Sequence, residues 1–164
     1  MIHVSLSKTR LEQCREWATL RSSNHRATTK KLSADYDFIG VLAEESFGVL
    51  INQPGPRFDP SFRDAGYDFK TGAGTVDVKG VGPQAPRDLF VLAGPVKADI
   101  YCVVYVGGLE ARPYANVFGF AKQAEVAAEA PTKGLTVSHR IVSDKLHDSV
   151  RLVNEIRRRD GGVM

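Results

Sequence analysis

Residues 64–80 read Asp-Ala-Gly-Tyr-Asp-Phe-Lys-Thr-Gly-Ala-Gly-Thr-Val-Asp-Val-Lys-Gly. Tyr67 to Lys70 and Thr75 to Lys79 alternate in polarity around Gly72, Ala73 and Gly74, the period-2 signature of two strands joined by a turn. With Gly72-Ala73 as a two-residue turn, which the Gly-X preference of a type II′ hairpin supports, cross-strand partners have numbers that sum to 145. Asp68 then faces Asp77. Tyr67, Phe69, Val76 and Val78 fall on one face, and Asp68, Lys70, Thr75, Asp77 and Lys79 on the other. A bulged loop through Gly74 would instead shift the register by one residue and separate the two carboxylates.

Opposed carboxylates with Cβ atoms about 4.5–5.5 Å apart repel, so a purely structural hairpin gains nothing from them. A bound cation reverses the sign. Hard oxygen ligands at that separation suit Mg²⁺ or Mn²⁺, which keeps several waters and takes one or two carboxylates from a protein. Lys79, on the same face as Asp77, can position or help deprotonate a water and offset charge building on a phosphate. The bland reading is a solvated charged sheet face.

Upstream of the hairpin, Asp35 or Asp37 can cap a helix running to about Asn52. Phe38, Ile39, Val41, Leu42, Phe47, Val49, Leu50 and Ile51 spread almost all round it, which marks it as buried. That helix carries Glu44 and Glu45, and a carboxylate in such surroundings needs a proton, a partner or a metal. Glu44 lies one turn from both Gly40 and Gly48, a small-residue strip that lets the hairpin or a ligand backbone approach. Glu45 shares its sector with Phe38, Val41 and Val49 and could serve a buried basic partner. Pro54, Gly55, Pro56 and Pro60 make the connection to the hairpin a loop.

Further upstream, Leu11, Cys14, Trp17, Ala18 and Leu20 recur at helical spacing after Ser7, a candidate N-cap. Downstream, Leu89–Leu92 reads as a short strand, and Asp99–Val106 as a central strand covered on both faces. Asn116–Phe120 reads as a strand leading into a helix over Ala121–Ala130. Leu135–Val142 is a further strand and Leu146 to Arg159 a final helix. The expectation is one α/β domain in which residues 1–34 form a basic helix and linker packed on a core spanning 35–164.

The chain has 164 residues, 43% hydrophobic and 25% charged, which excludes wholesale disorder and a fibrous class. No stretch reaches the roughly 18 consecutive apolar residues of a spanning helix, so a cytoplasmic chain with no membrane partner is expected. Cys14 and Cys102 lie far apart without CxxC spacing, and His3, His25, His139 and His147 are isolated, so each histidine reads as polar surface and none as a zinc ligand. The Gly72 and Gly80 patterns lack the context of a dinucleotide loop. The net charge of +3 is uneven, with +5 over residues 1–34 and −2 over the other 130. Arg15, Arg21, Arg26, Lys30 and Lys31 are therefore candidate phosphate contacts, against the alternative of a solvated helix face.

Gly40 to Glu44, Asp64 to Asp68 and Thr75 to Gly80 together resemble the PD-(D/E)xK nuclease superfamily, and more narrowly its small phage and Holliday-junction-resolvase-like members. The strand start at Ala98 to Tyr101 and the strand-to-helix step at Val117 to Lys122 are similar too, so the resemblance covers about residues 36–130. Ala43 stands where a glycine is frequent, and no proline precedes Asp68. The resemblance implies a restriction-endonuclease-like fold, with a mixed central sheet flanked by helices. It also implies that Glu44, Asp68, Asp77 and the Val78 carbonyl bind Mg²⁺ or Mn²⁺ while Lys79 orients the attacking water. The expected activity is metal-dependent endonucleolytic hydrolysis of DNA, with RNA open and a homodimer frequent among duplex-cutting relatives. The alternative is a nuclease-fold module that binds DNA or protein without cutting.

Overall fold

The computed structural model describes residues 1–25, 34–55, 66–133 and 137–161. Their elements are β1 (Ile2–Val4), α1 (Lys8–His25), α2 (Ala34–Leu50), β2 (Phe69–Thr71), β3 (Gly74–Val81), β4 (Leu89–Leu92), β5 (Ile100–Gly107) and β6 (Tyr114–Lys122). These are followed by α3 (Gln123–Ala128), β7 (Thr132–Lys133), β8 (Val137–Ile141), a 3₁₀ turn at Ser143–Lys145, β9 (His147–Asp148) and α4 (Ser149–Arg159). The architecture is mixed α/β. The main sheet has the order β1-β6-β5-β3-β2, with β9 added to β6, and a smaller sheet has the order β4-β8-β7. Among the described residues only β3 and β5 pair in parallel; the other pairings there are antiparallel.

The near-continuous apolar run of β5 follows from its two covered faces. Cys102, Val104 and Val106 join a core with Cys14 and Ala18 of α1, Leu42 and Phe47 of α2, and Leu152 and Ile156 of α4. Tyr101 and Val103 point the other way, into a second core with Leu89, Val91, Val126 and Ile141. Ser7 caps α1, its hydroxyl accepting from Arg10 N at 3.3 Å. The apolar stripe read for α1 buries Cys14 and Ala18 but leaves Leu20 57% exposed, because Leu20 lies beyond the arc that faces the sheet. Asp35 and Asp37 sit inside the first turn of α2 rather than at its cap, where carboxylates suit the positive end of the helix dipole.

The whole run from Val41 to Gly48 is buried. Glycines make this possible at both ends of the contact. A Cβ on Gly80 of β3 would stand 2.9 Å from the Ile39 carbonyl oxygen and 3.1 Å from Ala43 Cβ. On Gly48 it would stand 2.7 Å from the Gln53 carbonyl oxygen, which folds back to close the helix, and 3.2 Å from Phe69. The hairpin thus approaches α2 at Gly48, as the small-residue strip suggested.

The hairpin register sums to 145: Phe69 pairs Val76, Lys70 pairs Thr75 and Thr71 pairs Gly74. Two details differ from the sequence reading. The left-handed residue is Gly74, at φ +124°, and not Gly72, so the turn is not type II′. Gly72 is held from outside, its N–H donating to Asp160 at 2.5 Å and its carbonyl accepting from Arg159 at 3.2 Å. The ladder also ends at Phe69. Asp68 N donates to Val76 O at 2.9 Å, so Asp68 enters the hairpin one step out of register, and its side chain turns to the Val78 N–H.

Helix α4 begins at Ser149, later than the Leu146 read from the sequence, because Leu146 closes the 3₁₀ turn and β9 follows it. Asp148 caps it by accepting from Val150 N. Its last turn holds Arg157, Arg158 and Arg159, cations that complement the negative end of the helix dipole. His139 departs from the surface reading: it is buried, and its Nδ1 lies 2.7 Å from the Glu129 carbonyl oxygen. Among the described residues no helix is long and apolar enough to cross a membrane.

Gly80→Val should cost about 1–3 kcal/mol in stability, since the added carbon meets helix backbone rather than a movable side-chain tip. Urea unfolding measures this. A loss below about 0.5 kcal/mol would show that α2 can lift from β3 without penalty.

Candidate active site

Helix α2 carries Glu44 and Glu45 in adjacent positions about 100° apart, and the structure sends them to different partners. The Glu44 carboxylate accepts from both terminal nitrogens of Arg21, at 2.8 and 2.9 Å. This bidentate pair is largely enclosed, with side-chain exposures of 17% for Arg21 and 10% for Glu44. The guanidinium lies over Gly40, where a Cβ would come within 3.1 Å of Nη1. Glu45 is more deeply buried; it pairs with Arg10 and accepts from Gly55 N at 2.8 Å. Glu45 thus ties α1 and the segment after α2 together.

Asp68 stands at the entrance of β2 with Oδ2 accepting from Val78 N at 2.6 Å. Burial raises the pKa of this carboxyl to about 8, and the neighbouring charges of Glu44 and Asp77 push in the same direction. The Val78 hydrogen bond and Lys79 oppose the rise. On β3, Asp77 Oδ2 lies 2.7 Å from Lys79 Nζ. Burial disfavours the Lys79 ammonium, but Asp77, Asp68 and Tyr101 outweigh it and raise its pKa above the usual lysine value. Burial likewise works against Arg21, and Glu44, Asp68 and Asp37 more than offset it.

Asp68, at the hairpin entrance, is therefore under the influence of Glu44 from α2 and of Asp77, Val78 and Lys79 from β3. The donor chemistry, hard carboxylate oxygens on three separate segments, fits Mg²⁺ or Mn²⁺. As the side chains lie, no three His, Cys, Asp or Glu groups among the described residues are placed to hold one ion. Arg21 occupies both oxygens of Glu44, and Lys79 draws Asp77.

The basic N-terminal candidates divide. Arg15 is exposed and its guanidinium lies 4.6 Å from the Phe38 ring centre, a cation–π seat on α2. Arg21 turns inward to Glu44. Arg26, Lys30 and Lys31 lie outside the described residues. Two residues of the neighbourhood escaped the sequence reading. Arg10 and Tyr101 carry no local signal, although Tyr101 stands opposite Asp77 in the β3–β5 register. The Tyr101 hydroxyl accepts from Lys97 N at 3.0 Å and Ala98 N at 3.1 Å. Cys14 and Cys102 are both buried and unpaired, and burial pushes the Cys14 thiol up to about 12.

No family model matches this chain, and neither a curated protein nor a solved structure matches it.

Asp68 generates a pH prediction. Its folded pKa exceeds the ordinary carboxylate value, so between about pH 4 and about pH 8 the folded state holds a proton that the unfolded state has lost. This contribution to stability is complete below that window and disappears as pH rises through it. Without divalent cations, Asp68→Asn should gain stability relative to the unsubstituted chain as pH climbs from about 5 to about 8, while keeping an acceptor for Val78 N. Urea midpoints at the two pH values test this; parallel behaviour would mean that Asp68 is ionised and solvated throughout.

Glu45→Gln should weaken the fold by about 1–3 kcal/mol, because the Arg10 guanidinium loses its charged acceptor. Thermal and urea unfolding provide the measurement, and an unchanged midpoint would return Arg10 to solvent.

Proposed function

We propose that the chain is a metal-dependent endonuclease hydrolysing phosphodiester bonds of DNA, on a restriction-endonuclease-like core of the PD-(D/E)xK type. The observation that carries this reading is the setting of Asp68, a buried carboxyl that takes the Val78 N–H and feels the charges of Glu44, Asp77 and Lys79. Burial and like charge raise the pKa of that carboxyl to about 8. Structural hairpins have no use for carboxylates held together against their mutual repulsion, whereas a phosphodiester hydrolase does.

Glu44, Asp68, Asp77 and the Val78 carbonyl would hold Mg²⁺ or Mn²⁺. When bound, such an ion supplies Lewis-acid charge at the scissile phosphate and a more acidic water. The ammonium of Lys79, already raised in pKa and set beside Asp77, orients the attacking water and offsets charge growing on the phosphate oxygens. Asp68 braces the strand by taking the Val78 N–H, which fixes Val78 and with it the spacing of Asp77 and Lys79. Exposed basic residues of the N-terminal third, Arg15 among them, supply sequence-independent attraction to the DNA backbone. Cutting both strands of a duplex would take two copies. A cytoplasmic setting agrees with two unpaired cysteines.

One observation favours the rival reading, a nuclease-fold module that binds DNA or protein without cutting: Arg21 and Lys79 already neutralise Glu44 and Asp77. Labelled duplex, single-stranded and four-way-junction DNA, each incubated with Mg²⁺, Mn²⁺ or chelator, separates the two. Metal-dependent cleavage of any substrate is expected. DNA binding without cleavage under every metal condition would decide for the binding module.

Asp77→Ala and Lys79→Ala should each lower the cleavage rate by about a hundredfold or more, by different routes. Raising Mn²⁺ should recover part of the Asp77→Ala loss and none of the Lys79→Ala loss. Near-wild-type turnover of Lys79→Ala at saturating metal would remove the lysine from the mechanism.

A further inference from the structure

An ion bound at Glu44 would share that carboxylate with the Arg21 guanidinium, a cation already seated on it. Both carboxylate oxygens accept from the guanidinium, at 2.8 and 2.9 Å; each keeps a further lone pair, but an ion taking it would stand beside a second positive charge, so the two cations compete for the group. The seat of the guanidinium is shaped for it. Gly40 leaves the surface of α2 bare beneath Nη1, and any side chain at that position would crowd it. The charge of Asp37 reinforces the hold on Arg21, and Ser22, its neighbour on α1, donates to Asp37 at 2.5 Å. A cation is therefore already built into the carboxylate cluster, delivered by α1 rather than by solvent.

We propose that Arg21 is an intrinsic competitor of the divalent cation: α1 holds Glu44 in a guanidinium pair, and metal loading transfers the carboxylate from Arg21 to the ion. This rests on the metal-dependent reading above. Its consequence is reciprocal, as linkage requires. Whatever draws Arg21 away from Glu44 tightens metal binding, and metal binding loosens the α1–α2 contact at Arg21. A purely positioning role for Arg21, holding Glu44 in place for the metal, predicts the opposite sign.

Calorimetric titration of the full chain with Mn²⁺, without DNA, decides between these signs. Arg21→Gln removes the charge while keeping a hydrogen-bond donor for Glu44, and it should bind Mn²⁺ about tenfold more tightly than the unsubstituted chain. Arg21→Lys, with charge but no fork, should fall between them. Equal or weaker binding by a folded Arg21→Gln, with the unsubstituted chain binding normally, overturns the competition and leaves the metal reading standing. Failure of both proteins to bind Mn²⁺ at millimolar concentration overturns the two together. Because loss of the pair could unfold the variant, a second measurement uses the unsubstituted chain: the Arg21 Nε–H resonance, assigned through Arg21→Lys, is followed during Mg²⁺ titration. It should shift in step with saturation. A resonance that stays in place while the site fills overturns the proposal.

Discussion

Helix α2 lies on β3 with no side chain between them at Gly80, where an added Cβ would meet the Ile39 carbonyl oxygen at 2.9 Å. Most of the molecule follows from that approach. It places Phe47 against Phe69, with ring centres 5.3 Å apart, and so sets the hairpin on the helix. It buries the stretch from Val41 to Gly48, which forces Glu44 and Glu45 to find cations. α1 supplies both, Arg21 for one and Arg10 for the other. Without the glycine on β3 the helix would ride higher, and the two carboxylates would reach water instead of Arg21 and Arg10.

The resulting charge arrangement has Glu44, Glu45 and Asp77 in salt bridges and Asp68 held by a backbone N–H. Removing one member of a buried pair leaves the other uncompensated, which is costlier than the pair is favourable. The cluster is thus a mutual arrangement in which no group is independent.

Much of this was legible in the sequence because it rests on local pattern. The alternation in residues 67–79 and the small residues at 72–74 were enough to set the hairpin register, and the β-branched and aromatic run at 100–106 to mark a strand covered on both faces. What escaped was either too short or too distant. β1, β7 and β9, of three, two and two residues, are too brief for any period to show, and exist because a neighbouring strand offers its edge. Arg10 and Arg21 meet their carboxylates across 35 and 23 residues of chain, where no spacing rule reaches. The left-handed residue fell on Gly74 rather than Gly72 because Arg159 and Asp160 grip Gly72, a contact 87 and 88 residues away. The strand over Leu135–Val142 is legible, but nothing in it shows that His139 is buried, with the Glu129 carbonyl oxygen beside its Nδ1.

That grip has a consequence for the order of events during folding. The hairpin carries Asp77 and Lys79, yet its turn is anchored by the last residues of α4, and Arg157 of the same helix donates to Leu50 O at the end of α2. Contacts of such separation form late, because the loops they close are long. A chain still emerging in order from the ribosome has the carboxylates but not the fastening that sets their strand. The cluster becomes a defined constellation only when residue 160 has joined it, so a partly synthesised chain carries the parts of the site without its alignment.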